Sequence, residues 1–224
     1  MISVPRNELQ ISLSCARRAC GVTRASAGPP ILFRQKREDL RLSCVTPVGA
    51  VELRIDAGGR AATFALPFEA VKECAGGSQQ PVEFEVDDDR IMARWRENGT
   101  ARTESFDSVA ADSFPRLPKE FRSNADLLPA LQEASRTAWR EEARYALQHV
   151  QFQGKTGRVV ATDAHQLFVQ EGFDLPWDDD LLVPASSAFQ CKELADQEGA
   201  GIGRSKTNVF ITTGPWTLAL PIQQ

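Results

Sequence analysis

Histidine is nearly absent from this chain: His149 and His165 are its only two. A His-x-Asp pair such as Asp163 and His165 still needs a third ligand or a nucleophile, and none stands at a suitable spacing. Cysteine is sparse too. Cys15, Cys20, Cys44, Cys74 and Cys191 are odd in number, widely spaced and form no C-x-x-C, so they read as reduced core thiols. No apolar run approaches the roughly 20 residues that cross a bilayer. The N-terminus, MISVPRNELQ, lacks the basic-then-apolar pattern of a signal peptide, which predicts a cytoplasmic protein without a membrane partner. Gly199-x-Gly201-x-Gly203 lies between a helix and a strand, the reverse of a dinucleotide site. Asp87-Asp88-Asp89 and Asp178-Asp179-Asp180 lack the glycine and terminal glutamate of a calcium loop and read as solvated loops. The expectation is a protein that is not an enzyme, with no catalytic residue, metal or cofactor.

What is present is ordinary soluble-protein material. Hydrophobic residues make up 42% of the chain and charged residues 25%, enough for packed cores. At 224 residues the chain exceeds the common single-domain size and predicts two domains of roughly 110 residues. The net charge of −4 and a pI near 5.4 exclude a protein coated in basic surface. They do not exclude nucleic-acid binding, which needs cations only where the nucleic acid lies.

Periodicity and breakers lay out the elements. Asn7 to Cys20 reads as a helix with apolar positions at Leu9, Ile11, Leu13 and Ala16. After a loop at Gly21 to Pro30, extended segments are expected at Ile31 to Arg34, Leu40 to Val45, Ala50 to Ile55 and Ala61 to Leu66. Breaks fall at Arg37-Glu38-Asp39 and Ala57-Gly58-Gly59. Pro67 opens a helix over Phe68 to Cys74, stopped by Gly76-Gly77. Strands follow at Val82 to Val86, Ile91 to Trp95 and Ala101 to Phe106, with Glu97-Asn98-Gly99 as a hairpin loop. Ser108 to Arg122, rich in Ser, Pro and charge, reads as the crossing between domains.

The order then begins again. Ala125 to Trp139 is expected as a helix with Pro129 in its first turn. Arg144 to Val169 reads as a β-meander: alternation from Tyr145 to Gln153, a loop at Gly154 to Gly157, a strand from Arg158 to Thr162, a tight corner at Thr162-Asp163-Ala164-His165, and a further run to Gln170. A loop at Phe173 to Asp180 follows. A second helix is expected over Ala185 to Gln197, opened by Leu181-Leu182-Val183-Pro184. Strands at Gly201 to Arg204, Asn208 to Thr212 and Trp216 to Pro221 end the chain. At an offset of about 117 positions, Leu66-Pro67 falls on Val183-Pro184, Cys74 on Cys191, and Leu42-Ser43-Cys44 on Val159-Val160-Ala161. A βαβββ-like unit written about four times is the predicted organisation.

Arg144-Tyr145-x-Leu147, followed by Val160-Ala161-Thr162-Asp163-Ala164-His165-x-Leu167, resembles the middle domain of bacterial DNA polymerase III beta-type sliding clamps. Ala164 replaces the family's usual Gly and Gln166 its usual Arg. Ala61 to Leu117 resembles the first clamp domain, which has a strand ending in Leu-Pro before a helix and a close at Ser-Phe-Pro-x-Leu, here Ser113 to Leu117. The resemblance implies an α+β fold of two tandem DNA-clamp-like domains, each with two helices packed on antiparallel sheets. The domains are expected at residues 1–117 and 118–224, with no third domain.

A clamp resemblance implies DNA threading a ring lined by helices, with duplex DNA as a partner and no sequence readout. The implied DNA-binding cations are Arg17, Arg18, Arg24, Lys72, Arg136, Arg140 and Lys192. Glu69, Glu73, Glu133, Glu193 and Asp196 accompany them, so ordinary solvated helix faces stay open as a reading. The resemblance also implies a pocket for DNA polymerase and clamp-loader peptides at Leu147, Thr162, His165, Gln166 and Leu167. Read without it, Leu147 and Leu167 are core residues and His165 a turn cap. Six domains close rings of this family, so a two-domain chain is expected to close one as a trimer. The alternative function is a clamp-derived interaction module that forms no ring and binds replication proteins.

Overall fold

The computed structural model describes residues 1–22, 27–87, 89–138 and 145–223. It divides into two compact units, one of Met1–Thr46 with Val51–Phe114, the other of Pro47–Ala50 with Pro115–Gln224.

The first unit runs β1 (Ile2–Pro5), α1 (Arg6–Ala19), β2 (Ile31–Lys36), β3 (Asp39–Thr46), β4 (Gly49–Asp56), β5 (Ala62–Leu66), α2 (Phe68–Cys74), β6 (Pro81–Asp87), β7 (Arg90–Glu97) and β8 (Thr100–Asp107). Two four-strand arrays result, ordered β5-β2-β3-β4 and β1-β6-β7-β8. The first unit is thus two βαβββ halves that exchange their first strands: β1 joins the second half's strands at β6, and β5 joins the first half's at β2. Phe33, Phe64 and Phe84, from β2, β5 and β6, gather at centroid separations of 4.8–5.9 Å and tie the two arrays into one core. Asn98 (φ 51) and Gly99 (φ 83) form a two-residue turn between the paired Glu97 and Thr100. Both positive φ values match the right-handed strand twist, which is why Asn-Gly suits this hairpin.

The second unit repeats the plan with β9 (Arg122–Asn124), α3 (Leu127–Thr137), β10 (His149–Gln153), β11 (Arg158–Thr162), β12 (Leu167–Glu171), β13 (Asp180–Pro184), α4 (Lys192–Ala195), β14 (Ala200–Arg204), β15 (Asn208–Thr213) and β16 (Trp216–Pro221). Its arrays are β13-β10-β11-β12 and β9-β14-β15-β16, the same orders as in the first unit. α3 packs on β10, β11 and β12. The βαβββ unit expected from the sequence is therefore written four times. Among the described residues, no helix is long and apolar enough to cross a membrane.

Three readings need correction. The expected helix over 185–197 is instead a 3-10 turn at Ser187–Gln190 and the four-residue α4, separated by an extended Cys191 (φ −68, ψ 130). The Ser186 hydroxyl accepts the Ala188 N–H at 3.2 Å and fixes the tighter turn, a local bond that competes with the helical ladder. The expected strand over 145–153 begins only at His149, because Tyr145–Gln148 is also a 3-10 turn. β1 and β9 were not expected at all: at four and three residues they carry almost no periodicity. Trp139, the expected end of α3, lies outside the described residues, as do Arg144, Asp88 and residue 224.

Candidate functional site

Of the seven cations implied at the DNA-facing helices, Arg24 and Arg140 lie outside the described residues, and the other five are exposed. Arg17 and Arg18 occupy the last turn of α1, where helix carbonyls favour positive charge. The Arg17 guanidinium carbon sits 5.4 Å from the ring centroid of Phe68, so α2's first residue supports it. Phe68 is buried and α1 packs beside α2, which fixes that platform. Lys72 is paired with Glu69 at 2.7 Å, one turn back on α2. Arg136 is paired with Glu133 on α3 in the same way. Lys192 opens α4 beside Glu193. The end of α1 thus presents two adjacent cations, and α2 and α3 each present a cation paired with an acid of the same helix.

The second site is the corner between β11 and β12. Thr162 pairs with Leu167 across it. Thr162 Oγ1 donates to the Gln166 carbonyl at 2.6 Å and accepts the Ala164 N–H at 3.1 Å. Asp163 Oδ1 accepts the Gln166 N–H at 2.6 Å and the His165 N–H at 2.8 Å. The Gln166 amide first, then that of His165, holds the Asp163 carboxyl below the usual aspartate range. Ala164 adopts φ 74, the left-handed region. That is where glycine sits without steric cost and alanine does not.

Register decides what the corner presents. In an antiparallel pair, facing residues share a side of the sheet. Val159 and Ala161 therefore lie on one side with their partners Gln170 and Phe168, and both are buried on the side that α3 covers. Leu167 and Val169 lie on the other side with Thr162 and Val160. Leu167 is 68% exposed and Val169 49%, so the reading of Leu167 as a core residue is corrected. Leu147 is half-buried in the turn entering β10. The pairing of Gln151 with Val160 sets that end of β10 beside Thr162, so Leu147, Thr162, His165, Gln166 and Leu167 gather at one end of one sheet. Val169 was missed by the sequence reading, although its alternation with Leu167 about Phe168 is the visible signal.

No family model and no curated protein sequence matches the chain. Solved structures do match over the whole chain. DNA polymerase III subunit beta from Pseudomonas aeruginosa matches at 16% identity and TM-score 0.75, covering 100% of this chain and 65% of that one. The Helicobacter pylori beta clamp bound to a DNA ligase peptide matches at 16% and 0.74, covering 100% and 66%. A DNA polymerase III beta subunit from Eubacterium rectale, described as putative, matches at 13% and 0.77, covering 100% and 65%. This chain spans about 65% of the length of those it resembles. At such identities the likeness is one of fold: the architecture is that of a sliding-clamp chain over this length.

Proposed function

We propose that this chain is a non-enzymatic, sliding-clamp-like processivity factor that encircles duplex DNA without reading sequence and tethers a DNA polymerase. The observation that carries the reading is the fourfold βαβββ architecture, whose likeness to beta-clamp structures extends along the entire chain. Phosphate contacts from exposed helix cations are independent of sequence and weaken with salt, which suits a ring that slides. Arg17 and Arg18, exposed in the last turn of α1, contribute contacts of this kind. The β11–β12 corner, with Leu167 exposed beside it, receives short hydrophobic peptides of polymerases and clamp loaders. The matched Helicobacter clamp with its bound ligase peptide supports that use of a clamp surface.

Six such units close the ring in this reading, and three copies of the two-unit stretch described supply them. β8 and β12 end their four-strand arrays, and edge strands are ready templates for pairing with another copy. Loading onto nicked circular DNA, followed by linearisation, tests the proposal. A topological clamp stays on the circle and is lost from the linear form. Equal retention on both, or none on either, overturns it.

A second reading is favoured by the pairing of Lys72 with Glu69 and Arg136 with Glu133. In it the chain is a clamp-derived module that binds replication proteins and closes no ring. Light scattering separates the two: a trimer supports the first, and a monomer at high concentration that still captures a clamp-binding peptide supports the second.

A further inference from the structure

Cys20 and Cys44 are 24 positions apart in sequence, yet their sulfurs are 3.3 Å apart, one thiol donating to the other. Cys20 closes α1, its N–H donating to the Ala16 carbonyl at 2.9 Å. Cys44 belongs to β3, in the array on which the first unit's core is built. Both are buried, at 6% and 2% exposure. Two thiols held in contact differ in kind from isolated core cysteines. Cys74 shows the isolated case: burial in α2 pushes its thiol up to about 12, leaving almost no thiolate at neutral pH. Cys20 moves the opposite way, held below the ordinary thiol range chiefly by the hydrogen bond from Cys44, while that bond and burial push Cys44 up.

We propose that Cys20 and Cys44 form an oxidation site, a dithiol that a hydroperoxide closes to a reversible disulfide locking the last turn of α1 to β3. The steps balance. The Cys20 thiolate attacks one peroxide oxygen, the O–O bond breaks, and Cys20 becomes a sulfenic acid as the other oxygen leaves and takes a proton to form water or an alcohol. Cys44, losing its proton, attacks the Cys20 sulfur, and the S–O bond breaks with release of water. Two thiols are oxidised by two electrons and one peroxide is reduced. A disulfide bond is about 2.05 Å long, so closure draws the sulfurs together by about 1 Å, a change within reach of side-chain rotation. The lock fastens the turn that bears Arg17 and Arg18.

The test is a peptide map of the unmutated protein. After hydrogen peroxide treatment the intact mass is expected to fall by two hydrogens, and after denaturation and alkylation three of the five cysteines should carry the label. The Cys20 and Cys44 peptides should appear crosslinked, with Cys74 fully alkylated, and dithiothreitol should restore both thiols. Cys20→Ser and Cys44→Ser should each abolish the crosslink, with Cys44→Ser trapping a dimedone-reactive sulfenic acid at Cys20. Full alkylation of both peptides after peroxide, or a crosslink between a different pair, overturns the proposal. Because the unmutated chain carries the map, a variant that folds poorly leaves the answer intact.

Discussion

β4 and β12 hold the same place in the two units, as the last strand of the first βαβββ repeat, and they meet opposite environments. In β4, Val51 and Leu53 are buried, while in β12 Leu167 and Val169 are 68% and 49% exposed. An exposed apolar pair brings no folding benefit, and it supports the proposal that peptides dock beside the β11–β12 corner. The copies differ in their fastenings as well. In the first unit, the buried Arg6 donates to the carbonyls of Cys74 and Ala75 at 2.9 Å and Arg96 at 3.1 Å, and pairs with Glu97 at 3.1 Å. It closes the end of α2, whose last carbonyls would otherwise lack donors. In the second unit, Asn124 of β9 exchanges two hydrogen bonds with the Asp174 backbone, at 2.8 and 3.1 Å.

The largest expected effect falls on the Arg6 fastening. Arg6→Ala strands three carbonyls and is expected to destabilise the first unit by about 3 kcal/mol, read as a shift in the urea midpoint. A shift no larger than that of a surface substitution would break the contrast. Asn124→Ala should cost less, about 2 kcal/mol, because two neutral bonds are lost in place of a charged cluster. Leu167→Ala separates binding from folding. Stability should change by less than about 0.5 kcal/mol, while the Kd for a clamp-binding peptide, measured by fluorescence anisotropy, rises about tenfold or more. Loss of stability without loss of binding would return Leu167 to the core. Ala164→Gly relieves a left-handed alanine and should stabilise the chain by about 0.5–1 kcal/mol in thermal unfolding.

The smallest effect is electrostatic. Asp163 is held below the usual aspartate range by the amides of Gln166 and His165. Its folded pKa is lower than its unfolded one, so its contribution is present above the ordinary aspartate pKa and lost as pH falls through the lowered folded value. Amide shifts of His165 and Gln166 should titrate in that acidic window, and Asp163→Asn should abolish the titration.

Most of this architecture was legible in the sequence, because its strands alternate and its turns are marked. Phe68–Cys74 and Arg158–Thr162 were read with their observed limits. The first is set by Pro67 ahead of a buried Phe68, the second by Gly157 and the Thr162 corner. The failures have physical causes. Ser186 makes a side-chain bond that breaks a helix whose composition otherwise favours it, and β1 and β9 are too short to show a period. The corner's residues were legible and their exposure was not, since whether Leu167 faces α3 depends on register with Thr162. The pairing of Lys72 and Arg136 with their own helix acids was visible as i,i+3 spacing.

The central claim, that repeated βαβββ units present their helices to DNA, is tested most directly by mapping amide shifts on adding a short duplex at low salt. The account predicts perturbation centred on the end of α1 around Arg17 and Arg18, fading with added salt, while the strands β10 to β12 stay unmoved. Perturbation centred on those strands, or shifts that salt leaves unchanged, would contradict it.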